Sequence, residues 1–386
     1  MLAPTLRSPR PASRGTTREL ASPWRHVDLM LLGAVLVISA LSLVMIYSAT
    51  RNQQAATALG GGYYLKRQAI YVGVGLLAMA IVALVDYRSL PDVAPVLYVI
   101  TILVLLLVVS PLGATKRGSQ AWFQLGGFQL EPSEFAKATM IVCLSAFIAR
   151  HRSDLDGGRL AALLGLLAVP LVLIYRQPDF GTAMVFGGIV LALLLVGGAR
   201  PRHLAVLVLL GVLAGGAVLQ LGVLKQYQVA RLSAFLDPEG DTQGTTYNLR
   251  QSQTAIAAGG MSGKGVFQGS QTNLSFVPEQ HTDFIFTAVG EQLGFIGAVT
   301  LLALFAVVVW RTWRSAVVSR DRFGTLICVG VMAMIVFQVF ENVGMTMGIT
   351  PVAGIPLPLM SYGGSSTVAS FMCIGLVLNV HMRRFA

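Results

Sequence analysis

The sequence predicts an all-α polytopic membrane protein, with about ten transmembrane helices gathered in one bundle. Three observations predict it. Of the 386 residues, 55% are hydrophobic and only 12% are charged, about half the charged share of a typical soluble domain. Long apolar runs recur along the chain, and about 18 such residues or more suffice for a helix to cross a ~30 Å hydrocarbon core. The alternating apolar and polar pattern of a membrane β-barrel is absent. In lipid, each segment must satisfy its own backbone groups, so such a chain closes into a helical bundle.

Residues 1–26 carry Arg7, Arg10, Arg14, Arg18 and Arg25 among Pro, Ser and Thr. They read as a basic, disordered cytoplasmic tail with no apolar core of its own. The remainder, 27–386, reads as one membrane domain. Its expected spans are 27–48, 67–86, 92–110, 134–150, 160–176, 181–198, 203–223, 284–310, 323–347 and 362–381. Gln177, Pro178 and Asp179 make a tight turn between the fifth and sixth. No internal repeat is visible. Cys143, Cys328 and Cys373 all lie in apolar runs and read as small core residues.

The net charge of +11 is explained by topology rather than by nucleic acid. With the N-terminus inside, 17 of the 28 basic residues fall in the tail and in short inner connections. These connections hold Arg88; Arg150, Arg152 and Arg159; Arg200 and Arg202; Arg311, Arg314, Arg320 and Arg322; and Arg383 and Arg384. The other 11 spread over far longer outer loops. That density difference predicts both termini in the cytoplasm.

The outer loops then hold the unusual chemistry. Loop 111–133 contains Lys116, Arg117, Trp122 and Glu131, and runs into Pro132-Ser133-Glu134, a helix start with an acid in the first turn. Glu134 and Lys137 are three residues apart and share a helix face. They cap the span as an ion pair or serve the site; ionisable groups at membrane depth point to function. The longest loop, 224–283, includes Gln228, Arg231 and a segment, 248–258, with helical spacing. Gly259, Gly260, Gly263 and Gly265 surround Lys264, so backbone N–H groups there can cradle a phosphate, although the P-loop spacing is missing. The stretch 251–294 holds seven glycines and ends its loop on His281-Thr282-Asp283. A carboxylate at the membrane boundary makes Asp283 the expected general base of an outer pocket. Loop 348–361, rich in Pro and Gly, carries no charge. It must line a cavity or be buried in protein. Glu341 lies inside the ninth span as a relay group or as a hydrogen-bonded carboxyl.

Several word-like stretches together resemble one family. They are Gln177-Pro178-Asp179-Phe180-Gly181-Thr182; Tyr227-Gln228 with Arg231; Asp237-Pro238; Gly259-Gly260 with Gly263-Lys264-Gly265; Pro278-Glu279 with His281-Thr282-Asp283-Phe284; and Pro356-Leu357-Pro358 with Ser361-Tyr362-Gly363-Gly364-Ser365. The set resembles the SEDS family (shape, elongation, division and sporulation), its elongation branch more than its division branch. The resemblance runs from about residue 27 to the end. It implies a peptidoglycan glycosyltransferase of the bacterial cytoplasmic membrane that polymerises lipid II on the outer face. It also implies a class B penicillin-binding protein as the crosslinking partner, and Asp283 as the catalytic residue. The family usually places Arg before the Trp of loop 111–133, where this chain has Ala121.

The expected chemistry agrees with the residues. A sugar hydroxyl attacks an anomeric carbon and needs a base. The departing pyrophosphate needs positive charge, which Lys116, Arg117, Lys137, Arg231 and Lys264 can offer. Asp179, Glu134 and Gln228 would orient them or hold a divalent cation, Mg or Mn. His281, Thr282 and Ser361 are expected to support the site. Two other readings remain open: a flippase for the lipid-linked precursor, and a non-catalytic scaffold for the crosslinking partner.

Overall fold

A computed structural model describes residues 26–55, 62–116, 119–126, 128–151, 156–220 and 245–385, and the single positions 229, 231 and 235. The 1–26 tail lies outside the described residues except for His26. Ten long helices occupy the ten expected positions: α1 (Leu29–Ala55), α2 (Tyr63–Leu84), α3 (Leu90–Val109), α4 (Pro132–Arg150), α5 (Gly157–Arg176), α6 (Phe180–Val196), α7 (Pro201–Gln220), α10 (Ile285–Val317), α11 (Arg322–Met347) and α12 (Gly364–Met382). Between α7 and α10 lie α8 (Thr245–Gly259) and the single turn α9 (Ser270–Asn273). Among the described residues, eight of the ten are long and apolar enough to cross a membrane; α6 and the described part of α7 are apolar but shorter.

Helix starts follow local chemistry. Asp28 Oδ1 accepts from Leu31 N–H at 3.1 Å, Asp156 Oδ1 from Arg159 N–H at 3.0 Å, and Asp321 Oδ1 from Gly324 N–H at 2.7 Å. Each carboxylate satisfies an orphan donor and meets the positive end of the helix. Pro132 opens α4 where its missing N–H costs nothing.

The bundle has an inside and an outside. α4, α11 and α12 are mostly buried, whereas α2, α3, α5 and α10 turn most of their surface outward. α2 packs along α12, α10 along α11 and α1, and α4 along α3 and α11. α10 runs to Val317, seven residues past its expected end, and is non-helical at Gly294.

Two connections depart from plain loop. Where the sequence predicts loop, a three-stranded antiparallel sheet forms from β1 (Ala114–Lys116), β2 (Ser119–Leu125) and β3 (Phe128–Leu130). Phe123 pairs with Leu130 and Gln124 with Gln129. The uncharged segment 349–361 has no regular structure, yet Ile355, Leu357, Leu359, Met360 and Ser361 are buried. It folds back into the bundle, as irregular backbone at membrane depth must.

Candidate functional site

Asp283 sits at the last turn before α10. Its N–H donates to Glu279 O at 3.2 Å, and Thr282 donates to the same carbonyl at 3.1 Å. Asn342 of α11 holds the other side: its Nδ2 donates to Asp283 O at 2.8 Å and to Ile355 O at 2.7 Å. Tyr362 N–H donates to His281 O at 2.9 Å. The rings of Tyr64, His281 and Tyr362 pack on one another, with centroids 4.9 to 5.5 Å apart.

The carboxylate of Asp283 and the guanidinium of Arg231 both approach Gly354. A Cβ built on Gly354 would lie 3.5 Å from Asp283 Oδ2 and 3.5 Å from Arg231 Nη1. Arg231, between α7 and α8, and the turn before α10 therefore both reach the irregular 349–361 segment. Gly354 has φ +72°, a conformation glycine adopts without penalty, so backbone can pass directly under both charged groups.

A second polar cluster lies at the start of α4. Lys137 Nζ is 2.7 Å from Glu134 Oε1, and the two side chains are 2% and 6% exposed. Glu131 accepts from Trp122 Nε1 at 3.1 Å and from Ser133 Oγ at 3.1 Å. Burial, together with the charges of Asp179 and Glu134, pushes the Glu131 carboxyl up to about 8. Asp179 Oδ1 caps α6 by accepting from Thr182 N–H at 3.0 Å. Gly181 lies so close to Ala353 and Ile355 that an added Cβ would be 2.7 Å from Ile355 Cγ1. The Gln177–Thr182 turn thus leans on the segment that carries Gly354.

The glycine-rich loop is used by the protein itself. Lys264 N–H donates to Glu291 O and Gly265 N–H to Gln292 O, both at 3.0 Å. Those two amides are spent on α10, which corrects the expected phosphate cradle. The Lys264 side chain reaches Ser270 Oγ at 2.6 Å and Glu291 Oε1 at 3.5 Å. Glu291, fully buried, also accepts from Gln271 N–H at 2.8 Å, Thr272 N–H at 2.9 Å and Thr272 Oγ1 at 2.7 Å. Gln280 then donates to Thr272 Oγ1 and Thr287 Oγ1, tying this loop to the turn that carries Asp283.

The family model for the FtsW, RodA and SpoVE cell cycle proteins matches residues 28–385. The chain belongs to this family. It is 36% identical over 356 residues to stage V sporulation protein E of Bacillus subtilis, spanning 92% of this chain and 96% of the relative. It is 35% identical over 359 residues to the peptidoglycan glycosyltransferase MrdB of Escherichia coli K12, spanning 93% and 94%. Its fold is similar to a solved chain from work on polymerization and crosslinking by a peptidoglycan synthase complex. There the TM-score is 0.78 and the identity 34%, with 93% of this chain and 98% of that one covered.

In this FtsW/RodA/SpoVE chain, the expected site residues divide into groups. Asp283 and Arg231 gather near Gly354, while His281 packs on Tyr64 and Tyr362 and Thr282 bonds back to Glu279. Lys137, Glu134 and Asp179 gather at the α4 and α6 starts. Ser361 is buried between the loop and α2: its Oγ accepts from Leu357 N–H at 2.8 Å, and its carbonyl accepts from Gln68. Lys264 stands with Glu291, separate from both groups. Arg117, Gln228 and the Lys116 side chain lie outside the described residues. Among the described residues, no three His, Cys, Asp or Glu side chains gather to hold a metal ion. Asp179 Oδ1 caps α6 and Glu134 pairs with Lys137, while Asp179 Oδ2 is buried without a hydrogen-bond partner among the described residues. Glu341 is buried, with Oε1 lacking a hydrogen-bond partner among the described residues.

Sequence reading missed Asn342, Gln68 and Glu291. All three are polar residues inside apolar helices, and that was the available signal. The same signal marks Glu341, whereas its neighbour Asn342 holds the site.

Proposed function

We propose that this protein is a peptidoglycan glycosyltransferase that polymerises lipid II into glycan strands at the outer face of the bacterial cytoplasmic membrane. The work belongs to cell elongation, and so to wall biogenesis and cell shape. Membership of the FtsW/RodA/SpoVE family and the similarity to a curated peptidoglycan glycosyltransferase support the reaction class. One observation carries the site: the Asp283 carboxylate and the Arg231 guanidinium converge on Gly354.

Asp283 takes the proton of the attacking sugar hydroxyl as its oxygen bonds to the anomeric carbon of the second sugar. The bond from that carbon to the pyrophosphate oxygen breaks, and the pyrophosphate leaves with the electron pair. Positioned base catalysis of this kind contributes about 10²- to 10⁴-fold. Arg231 supplies positive charge beside the base, where developing negative charge is worth most in a dry site. Lys137 serves the same chemistry from the α4 side once its Glu134 partner shares it with substrate.

The chain is a multi-pass membrane protein. Basic residues concentrated in the short connections support both termini in the cytoplasm, which sets Asp283 outside. Residues 27–386 act as one domain, with 1–26 as an appended basic tail. Likeness to a component of a synthase complex that couples polymerization to crosslinking supports a class B penicillin-binding protein as partner.

Purified full-length protein incubated with lipid II in detergent tests the proposal. Glycan polymer on a gel is expected, and a flippase cannot make it without a membrane. Asp283→Asn should lose that polymer while remaining folded. Full polymerisation by Asp283→Asn would remove the base assignment, and no polymer from the parent protein under any partner condition would remove the activity.

A further inference from the structure

A cavity of about 410 Å³ lies at the opposite end of the bundle, lined by Arg311, Arg314, Val318, His381, Arg384 and Phe385. It is far from the proposed site. Arg311 is 26 residues beyond the start of α10 at Ile285, or roughly 39 Å of helix. By the charge distribution it faces the cytoplasm.

The lining carries more positive charge than its neighbours offset. Arg311 contacts Asp28 at 2.7 Å. Among the described residues, Asp28 is the one carboxylate ion-paired with these arginines. Its other oxygen already caps α1. Arg314 and Arg384 add two further guanidinium groups to the same space. Burial pushes the Arg384 guanidinium down; the Asp28 charge opposes this, and those of Arg311 and Arg314 add to it. His381 is held by Ser315 at 3.1 Å.

The surroundings set the depth. Trp310 and Trp313 are exposed and stand on α10 directly beside the arginine stripe. Exposed Trp at a helix end marks the headgroup level of a bilayer. Val317 is 64% exposed and Leu29, at the facing end of α1, is 75% exposed. Exposed apolar side chains therefore stand at the ends of both helices beside the cavity. Guanidinium forks match the geometry of phosphate oxygens. The tail 1–25 is an unsuitable occupant, since it has five Arg and one acid, Glu19.

We propose that this cavity binds the phosphate of an anionic phospholipid in the inner leaflet. Arg314 and Arg384 clasp the phosphodiester, and the lipid tails run back along α10 over Trp313 and Trp310 towards the bilayer centre. The site anchors the inner ends of α1, α10 and α12 to one lipid. It is independent of the glycosyltransferase reading and stands if that reading fails.

The test is thermal unfolding and native mass spectrometry of the purified full-length protein in neutral detergent. The probes are dioleoyl phosphatidylglycerol, dioleoyl phosphatidylcholine, inorganic phosphate and a polyglutamate peptide. A saturable rise in Tm and a retained lipid adduct are expected with phosphatidylglycerol alone. Arg314→Gln with Arg384→Gln should weaken that response on the order of tenfold or more. An unchanged response in this variant, or an equal response to phosphatidylcholine, overturns the proposal. An equal rise with inorganic phosphate assigns the cavity to free phosphate, and displacement by polyglutamate assigns it to an acidic protein segment; either overturns the lipid. Should the glutamine variant fold poorly, Arg314→Lys with Arg384→Lys keeps the charge and loses the fork. It should retain a weakened phosphatidylglycerol response, and an undiminished one overturns the clasp.

Discussion

Asn342 uses a single amide nitrogen to hold two backbone carbonyls, Asp283 O at 2.8 Å and Ile355 O at 2.7 Å. The residue is fully buried in α11. It joins the turn that carries the proposed base to the irregular segment that faces it. Both of its N–H bonds are used, so no other side chain of similar size supplies the same pair of donors.

Asn342→Leu should leave both carbonyls buried and unpaired, at about 1–3 kcal/mol each. Misplacing Asp283 by about an ångström should cost on the order of 10²-fold in turnover. Lipid II polymerisation by the detergent-purified variant, measured with its Tm, checks both. Full activity would show that Asp283 is positioned by other contacts.

Gly354→Ala would place a methyl group against the Asp283 and Arg231 charges, at a φ of +72°. The backbone strain alone is worth about 1–2 kcal/mol. The expected outcome is a folded protein with polymerisation reduced more than stability. A variant with parental rates would place the working geometry elsewhere.

The Glu134–Lys137 pair is buried, so removing one partner strands a charge. Lys137→Met should destabilise by about 3–5 kcal/mol, whereas Glu134→Gln with Lys137→Met should recover much of that. Comparing unfolding midpoints of the single and double variants decides it. If the double variant recovers stability but not polymerisation, Lys137 acts on substrate as well as on Glu134.

Glu131 gives a pH signature. Its folded-state value, pushed up to about 8, lies above the ordinary carboxyl range. Stability from its protonated form is complete below the unfolded value, near 4.5. That contribution declines as pH rises towards 8, because the unfolded chain releases the proton first. Glu131→Gln should flatten this decline. Tm profiles of parent and variant from pH 5 to 8 would show the two lines diverging with rising pH; parallel lines would mean that Glu131 is ionised throughout.

Much of the architecture was legible in the residues alone. Ten apolar runs gave ten helices, because a segment in lipid has few alternatives to the helix. The Glu134–Lys137 spacing gave their shared face, and the uncharged Pro-rich segment near 355 gave its burial. The small sheet at 114–130 was not legible, since its strands are short and its pairing is set by contact rather than by period.

The chain by itself determined the class, the positions of the apolar helices and the candidate acid at Asp283, because hydropathy and local spacing act over a few residues. Only the tertiary structure decided who stands beside whom. Arg231 and Asp283 both approach Gly354, Lys264 turns to Glu291, and Asn342 rather than Glu341 grips the site. Those pairings join residues tens of positions apart. They follow from how helices pack, which no short stretch of sequence encodes.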